Sequence, residues 1–281
     1  MNLEKANEHY KEKLIQTYKA FVDFCITNNL DFCAAGGTMI GAVRHKGIIP
    51  WDDDIDIFMP RKDYDKFLNL KEKAFNEGYE IVDWKTKGYT QPFAKFCDAS
   101  TTIVPSTKST FLYGIFIDVF PLDKIHGSVK SINRKCFIYR NALRLYAILN
   151  RKINCRIHAI LKPLNYLINW YETHIFQGEL FCSPLGVYKE KEISTHEVFS
   201  KFEKFPFEDS FIFIPVGFHK YLTQVYGDYM QLPPMEKRVS HHALYYVNFN
   251  QRISLNEISQ LVDDDHGIFF ERSELKNAYK Y

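Results

Sequence analysis

The chain has 281 residues, 46% of them hydrophobic and 25% charged, which is the composition of an ordinary folded domain rather than of a disordered chain. Its formal net charge of +2 gives the molecule no overall polyanion-binding character, and no recognised nucleic-acid-binding motif accompanies it. Neither a signal-peptide pattern nor an apolar run of about 18 residues occurs, so we expect a cytoplasmic protein. The six cysteines form no CxxC pair and have mostly apolar neighbours, which predicts reduced core thiols.

The N-terminal part predicts a long helix that leads to a glycine turn. Apolar residues recur at helical spacing from about Glu4 to Asn28, and the short apolar stretch 32–35 predicts a strand before Gly36 and Gly37. A brief helix from Thr38 to His45 follows, and free N–H groups at a helix N-terminus attract anions. Arg44 is a candidate contact to phosphate or glycan, with a solvated surface arginine as the alternative.

An aspartate run follows the glycine turn. Asp52, Asp54 and Asp56 stand at spacing two, and the alternation from Asp54 to Phe58 predicts a strand. The side chains of Asp54 and Asp56 would then share one face, where two ionised carboxylates repel each other unless a cation lies between them. Mg²⁺ is the usual cation in such sites, and Mn²⁺ is the alternative. A solvated acidic loop remains the competing interpretation of this run.

The next stretch predicts one amphipathic helix, from Arg61 to Asn76, which Gly78 closes. The segments 79–84 and 93–98 predict strands, and Lys95 lies in the second of them. A lone lysine in an apolar strand is usually an edge or snorkelling residue. The alternative is that Lys95 offsets the charge of a substrate phosphate.

A further carboxylate, Asp118, lies in the predicted strand from Ile115 to Phe120. An aspartate that is buried among apolar neighbours needs a partner. A metal ion or the proton of an attacking hydroxyl group would supply one. The alternative is a structural aspartate that caps a turn before Pro121.

The segment 128–171 differs in charge from the rest, since it holds nine Lys or Arg and no Asp or Glu. Apolar residues at helical spacing predict two helices, with a break near Asn150 and a bend at Pro163. Either these helices present an ordinary basic outer face, or they dock on an anionic membrane surface. Nucleic acid is the least favoured partner.

The C-terminal third predicts a helix near 216–226 and then a basic stretch with Arg238, His241 and His242. These three side chains could bind phosphate, but the histidines lack the spacing to a third ligand that a zinc site needs. The acidic run 263–265 is typical of a solvated segment.

In combination, these motifs resemble the LicD family, whose members transfer phosphocholine or related phosphoalkyl groups to glycans. The fukutin-related glycan-modifying enzymes share the motif, and the wider group is the nucleotidyltransferase fold typified by DNA polymerase beta. The family pattern is a Gly-Gly turn with a short helix, a strand with Asp-x-Asp, and a third carboxylate on a later strand. Here it matches the residues Gly36, Gly37, Thr38, Asp54, Asp56 and Asp118. The stretch 226–242 also resembles the C-terminal block of the family, so the resemblance spans roughly residues 10 to 245.

The resemblance implies an α/β (α+β) fold, namely a nucleotidyltransferase-like mixed sheet core with helical elaborations. We expect one LicD-like domain over 1–281, with its core at about 20–125, the basic helical segment at 128–176 and a C-terminal elaboration at 180–281. The implied reaction is Mg²⁺-dependent transfer of phosphocholine, or a related phosphoalkyl group, from a CDP-linked donor such as CDP-choline. The acceptor would be a hydroxyl of a cell-surface glycan or of its lipid-linked precursor, and CMP would leave.

The resemblance also assigns roles to residues of the site. Asp54, Asp56 and Asp118 would be catalytic and hold the metal. The expected substrate contacts are Gly36, Gly37, Thr38, Arg44, Asp52, Lys95, Arg238, His241 and His242. Two alternatives remain open: a nucleotidyltransferase that modifies a small molecule and releases pyrophosphate, and a non-catalytic glycan-binding protein that kept the fold.

Overall fold

The computed structural model describes residues 3–106, 109, 111–152, 161–238 and 245–258, together with the backbone of 267–269. Within these ranges the helices are α1 (Leu3–Thr27), α2 (Gly36–Ile40), α3 (Arg61–Leu68), α4 (Lys71–Asn76), α5 (Val129–Lys152), α6 (Lys162–Trp170), α7 (Phe218–Tyr226) and α8 (Leu255–Ile258). The strands are β1 (Cys33–Ala34), β2 (Asp56–Pro60), β3 (Tyr79–Val82), β4 (Ala94–Asp98), β5 (Thr102–Val104), β6 (Phe116–Ile125), β7 (Leu180–Cys182), β8 (Phe202–Phe207), β9 (Ser210–Pro215), β10 (Tyr246–Asn248) and β11 (Gly267–Phe269). A mixed sheet with several helices confirms the α+β prediction.

The principal sheet has the strand order β1-β2-β6-β4-β3, and β7 pairs with the far end of β6. Strands β2 and β6 are parallel, with Asp56 opposite Asp118, whereas the other pairs in this sheet are antiparallel. Because β6 lies at the centre of the sheet, its residues pair with β2 on one side and with β4 on the other. A β8–β9 hairpin and a smaller sheet of β5, β10 and β11 complete the described strands.

The core is aromatic, and it joins α1 to the principal sheet. Phe21 of α1 packs edge-to-face against Phe96 of β4 and Phe67 of α3, with ring centroids 5.6 and 6.1 Å apart. The apolar stripe of α1 is therefore covered by the sheet, as its helical periodicity predicted. A second cluster packs α5 and α6 against the end of β6.

Several predicted boundaries are wrong. The strand β2 begins at Asp56, so Asp54 precedes the strand rather than lying in it. The predicted helix from Arg61 to Asn76 is two helices, separated at residues 69–70. Strand β6 continues through Pro121, which excludes the predicted turn before that residue.

The basic segment also differs from its prediction. Helix α5 runs through Asn150, whose side-chain amide donates to the Lys85 carbonyl oxygen at 3.0 Å, so no break occurs there. Pro163 lies in the first turn of α6 instead of bending a helix, a position where its missing N–H group costs nothing. The histidines 241 and 242 and the acidic run 263–265 lie outside the described residues.

Five of the cysteines lie in the described part of the chain, and all five are free. Cys25, Cys33, Cys97 and Cys182 are buried, and Cys136 is partly exposed. The prediction of core thiols is therefore confirmed for these positions. None of the helices in the described part of the chain combines the length and the apolar character that a membrane span requires.

Candidate functional site

Three carboxylates meet at the edge of the principal sheet. The parallel pairing of β2 with β6 places Asp56 beside Asp118, and Asp54 lies just ahead of β2. One carboxylate oxygen from each of Asp54, Asp56 and Asp118 lies within 4.8 Å of the others. The structure thus brings together the three residues that were predicted to share a site, although Asp54 reaches it from a loop.

Burial and like charge together disfavour ionisation of Asp56. Its pKa is raised well above the ordinary value, first by burial and then by the neighbouring charges of Asp54, Asp118 and Asp52. Lys95 acts in the opposite direction. A cation in this position would relieve the repulsion, so the electrostatics of the cluster fit a divalent ion.

Lys95 is the partner of Asp118. The two residues face each other across β4 and β6, they form a buried ion pair, and only 4% and 3% of their surfaces are exposed. The ammonium group also lies 3.4 Å from the centre of the Phe116 ring. The expectation of an edge or snorkelling lysine is therefore wrong, because β4 is an interior strand. Lys95 does not line the cavity described below. It therefore offsets the negative charge of the carboxylates from within the protein.

The glycine turn brings backbone close to these carboxylates. Gly36 has φ +47°, and a Cβ atom there would lie 3.2 Å from Oδ2 of Asp56. A Cβ atom on Gly37 would lie 2.9 Å from Oδ2 of Asp52, closer than real Cβ contacts allow. Thr38 is buried, and its hydroxyl accepts a 2.8 Å hydrogen bond from the Asp56 N–H group. Thr38 therefore fixes the start of β2 against α2.

Arg44 and Arg238 both lie near the indole of Trp51. Their guanidinium carbons are 6.0 and 5.3 Å from its ring centroid. Burial and the neighbouring Arg238 charge both lower the pKa of Arg44. The Arg44 guanidinium donates at 2.7 Å to the carbonyl oxygen of Tyr229, and Arg238 donates at 2.9 Å to that of Pro233. The two arginines thus hold the C-terminal segment and add positive charge.

The glycine turn, the aspartate run and Arg44 border one cavity of ≈ 480 Å³, whereas the expected site residues Thr38, Lys95, Asp118 and Arg238 are not among its lining residues. Among the expected site residues, its lining includes Gly36, Gly37, Arg44, Asp52, Asp54 and Asp56. The lining also includes residues that the sequence predictions did not assign, namely Trp51, Ser183, Tyr188, Glu192, Tyr221 and Tyr226. The cavity thus has an acidic part and an aromatic part, and Arg44 adds a positive charge to its lining.

Comparison with known proteins identifies the family of the chain. Residues 29–144 match the family model described as "LicD/FKTN/FKRP, nucleotidyltransferase domain". Over 252 residues the chain is 32% identical to the lipopolysaccharide cholinephosphotransferase LicD of Haemophilus influenzae, covering 79% of this chain and 90% of that relative. The chain belongs to the LicD family. This membership makes it a transferase. An uncharacterized protein of Rickettsia prowazekii is 44% identical over 68 residues, which is 24% of this chain and 26% of that protein.

The match to the LicD family model includes the glycine turn, Asp54, Asp56 and Asp118, and it ends within α5. The lining residues Tyr188, Tyr221 and Tyr226 lie outside it. Tyr226 is the first residue of the stretch that resembles the C-terminal block of the LicD family, so the sequence did contain a signal that could have pointed to it. Glu192 lies in the sequence KEKE, which is typical of a solvated turn, so nothing local pointed to its burial.

Proposed function

We propose that this LicD-family protein transfers phosphocholine from a CDP-linked donor, CDP-choline, to a hydroxyl group of lipopolysaccharide or of its lipid-linked precursor. CMP is the leaving group. The observation that carries the proposal is the cluster of Asp54, Asp56 and Asp118, of which Asp54 and Asp56 line a cavity of ≈ 480 Å³. The identity of the acceptor rests on the relative from Haemophilus influenzae, which is a lipopolysaccharide cholinephosphotransferase.

The three carboxylates are suited to one small divalent cation, Mg²⁺ or Mn²⁺. Carboxylate oxygens are the ligands that such cations prefer, and three of them within 4.8 Å leave a compact acidic site. Bound there, the cation would neutralise charge on the diphosphate and on the departing CMP. Lys95 supports the site by balancing one of the three negative charges.

The chain's own residues have separate tasks in the reaction. Gly36 and Gly37 allow the diphosphate to approach the backbone beside the acidic cluster, because they carry no side chain. Arg44 and Arg238 attract the anionic donor to the cavity. Asp118, besides completing the acidic cluster, accepts the proton of the acceptor hydroxyl. The hydroxyl oxygen forms a bond to the phosphorus that bears choline, and the bond from that phosphorus to the bridging oxygen breaks.

A direct assay tests this proposal. The purified protein is incubated with Mg²⁺, CDP-choline and lipopolysaccharide that lacks phosphocholine, and both CMP and modified glycan are measured. We expect equal amounts of the two products, and their loss in Asp54→Asn. In parallel, CTP and phosphocholine are supplied as substrates. Release of pyrophosphate in that arm, without transfer from CDP-choline, would instead favour the nucleotidyltransferase alternative.

The basic segment suggests where the reaction takes place. On α5 the side chains of Arg134, Arg144 and Arg151 are exposed, and so are four apolar ones between them, Phe137, Ile138, Leu145 and Ile148. Their spacing of three and four residues puts them on one face of the helix. We call this face the basic–apolar face. Interleaved arginine and apolar side chains are typical of helices that lie on anionic membranes, where a lipid-linked acceptor would be found.

A further inference from the structure

Glu192 is a buried carboxylate in the wall of the cavity. It ends the 3₁₀ turn Lys189–Glu192, and only 5% of its surface is exposed. One carboxylate oxygen, Oε1, accepts a hydrogen bond of 3.0 Å from the backbone N–H of Tyr188. The other, Oε2, is buried without a hydrogen-bond partner, as is the hydroxyl of Ser183 in the same wall. A buried carboxylate oxygen without a partner is costly, so the protein retains an unsatisfied acceptor beside the cavity.

Within the described part of the chain, no lysine or arginine forms an ion pair with Glu192. Arg140 lies near enough to act on it electrostatically, but its guanidinium donates to the carbonyl oxygen of Gly186 at 3.1 Å. The carboxylate packs directly against Gly186, since a Cβ atom on that residue would lie 1.5 Å from Oε2 of Glu192. The carboxylate is therefore held in place by the backbone of its own loop and not by a cationic side chain.

Three tyrosines connect Glu192 with the acidic cluster. The rings of Tyr188 and Tyr226 are 5.0 Å apart in an edge-to-face arrangement, and both residues line the cavity together with Tyr221. Burial raises the pKa of Tyr221, and the nearby charge of Glu192 raises it further. At the other end, a Cβ atom on Gly36 would lie 3.7 Å from the hydroxyl of Tyr226. The aromatic part of the cavity therefore extends from Glu192 to the glycine turn.

Aromatic faces combined with one desolvated carboxylate are the surroundings that bind an alkylammonium ion, through cation–π attraction and charge pairing. A neutral polyol would leave the carboxylate uncompensated. We propose that Glu192, with Tyr188, Tyr221 and Tyr226, binds the cationic head group of the transferred phosphoalkyl group and selects it over a neutral one. This inference rests on the proposed function, and it adds the residue that determines donor specificity.

The test of this inference removes the charge of the Glu192 side chain and keeps its shape. Glu192→Gln keeps the Oε1 acceptor for the Tyr188 N–H group and removes only the negative charge. Glu190→Gln is the control, since Glu190 lies two positions earlier in the same turn and is exposed. Isothermal titration calorimetry of the Mg²⁺-loaded full-length proteins measures binding of CDP-choline, CDP-glycerol and CMP. The two CDP ligands share the nucleotide and the diphosphate, and they differ in the charge of the head group.

We expect the wild-type protein and Glu190→Gln to bind CDP-choline about tenfold or more tightly than CDP-glycerol. Glu192→Gln is expected to lose this preference, while its affinities for CDP-glycerol and CMP stay unchanged. The opposite result, a preference for CDP-choline that survives in Glu192→Gln, would overturn the inference. The inference would also be overturned if Glu192→Gln lost affinity equally for all three ligands and had a lower melting temperature, because that result would indicate a structural role.

The failure of the proposed function has a different signature. A wild-type protein that binds neither CMP nor any CDP ligand would overturn the donor assignment and this inference with it. A wild-type protein that transfers from CDP-choline but binds CDP-glycerol equally well would overturn this inference alone.

Discussion

Asp118 has a structural task besides its proposed chemical one, because its partner Lys95 is buried with it. Removing one member of a buried ion pair leaves the other charge uncompensated, which typically costs about 3–5 kcal/mol of stability. We therefore expect Asp118→Asn to unfold at clearly lower denaturant concentration, which the sequence alone did not predict. Urea denaturation checks this expectation.

The double variant Lys95→Met/Asp118→Asn separates the two tasks of Asp118. It removes both charges, so much of the lost stability should return. Transfer per folded molecule should nevertheless stay about 10²–10⁴-fold below the wild-type rate, since the proton acceptor is gone. Normal turnover in a stable double variant would remove Asp118 from the chemistry altogether.

Glu192 makes the stability of the unliganded protein depend on pH. Burial raises the pKa of its carboxyl group from 4.5 to about 7, while Arg140 and the backbone N–H groups of Val187 and Tyr188 lower it. Tyr221 faces it as well. A raised acid pKa means that the folded state keeps its proton to higher pH than the unfolded state does. Protonated Glu192 therefore contributes to the free energy of unfolding below about pH 4.5, and this contribution is lost as pH rises from about 4.5 to about 7.

Glu192→Gln should consequently gain stability relative to the wild-type protein as pH rises. We expect the difference in the free energy of unfolding to shift by about 2–3 kcal/mol in favour of the variant between pH 5 and pH 8. Urea denaturation at the two pH values, without divalent ions or nucleotide, measures it. The exposed Glu190→Gln control should show little shift. A difference that is constant with pH would mean that Glu192 is not titrating in this window.

At the scale of elements, the long helix α5 joins the core on one side and presents the basic–apolar face on the other. Its buried side is fixed by an ionic network in which Arg61 of α3 binds Asp123 of β6 through two hydrogen bonds of 2.7 Å. Tyr139 of α5 donates to Glu172 at 2.7 Å in the same network. With that side anchored, the exposed Phe137, Leu145 and Ile148 have no packing role in the described structure, which leaves them available to a membrane.

We therefore expect the protein to sediment with vesicles that contain anionic phosphatidylglycerol at low salt and to be released at high salt. Each arginine near such a surface contributes about 1 kcal/mol, and salt screens the attraction. The triple variant Arg134→Gln/Arg144→Gln/Arg151→Gln should lose sedimentation and keep its activity on a soluble acceptor. As the control, Lys62→Gln/Lys87→Gln/Lys201→Gln removes three exposed charges outside the segment. Equal sedimentation with purely phosphatidylcholine vesicles would argue for an ordinary solvated face.

At the scale of the whole molecule, the metal binding that we propose for the acidic cluster would be linked to stability. Without a cation, the partly buried Asp56 is opposed by the charges of its neighbours, so Asp56→Asn should be at least as stable as the wild-type protein. A ligand that binds only the folded state stabilises it, by about 2.7 kcal/mol at 100 times its dissociation constant. Mg²⁺ with CMP should therefore raise the melting temperature of the wild-type protein by several degrees, and that of Asp56→Asn much less.

Differential scanning fluorimetry with and without Mg²⁺ and CMP makes this comparison. The Glu190→Gln variant is a suitable control, because its substituted carboxylate does not line the cavity. An equal rise in Asp56→Asn would show that the cation binds elsewhere.

The sequence by itself determined those features that are written in local patterns. The 3.6-residue periodicity specified α1, the Asp-x-Asp alternation and the Gly-Gly turn indicated the acidic site, and the resemblance to the family pattern assigned Asp118 as its third member. Their combination was also specific enough to indicate the LicD family. Each of these signals lies within a few residues, so it can be recognised without knowing which elements pack together.

Only the tertiary structure decided which distant residues are partners. Lys95 meets Asp118 because β4 and β6 are neighbours, an arrangement that no local pattern records. Glu192 is buried because α7 holds its turn, with the Gln224 amide donating at 2.7 and 2.8 Å to the carbonyl oxygens of Lys191 and Ile193. In sequence it resembles any charged residue of an exposed turn. Burial and electrostatic environment depend on contacts between segments far apart in the chain, and these contacts give Lys95 and Glu192 their proposed roles.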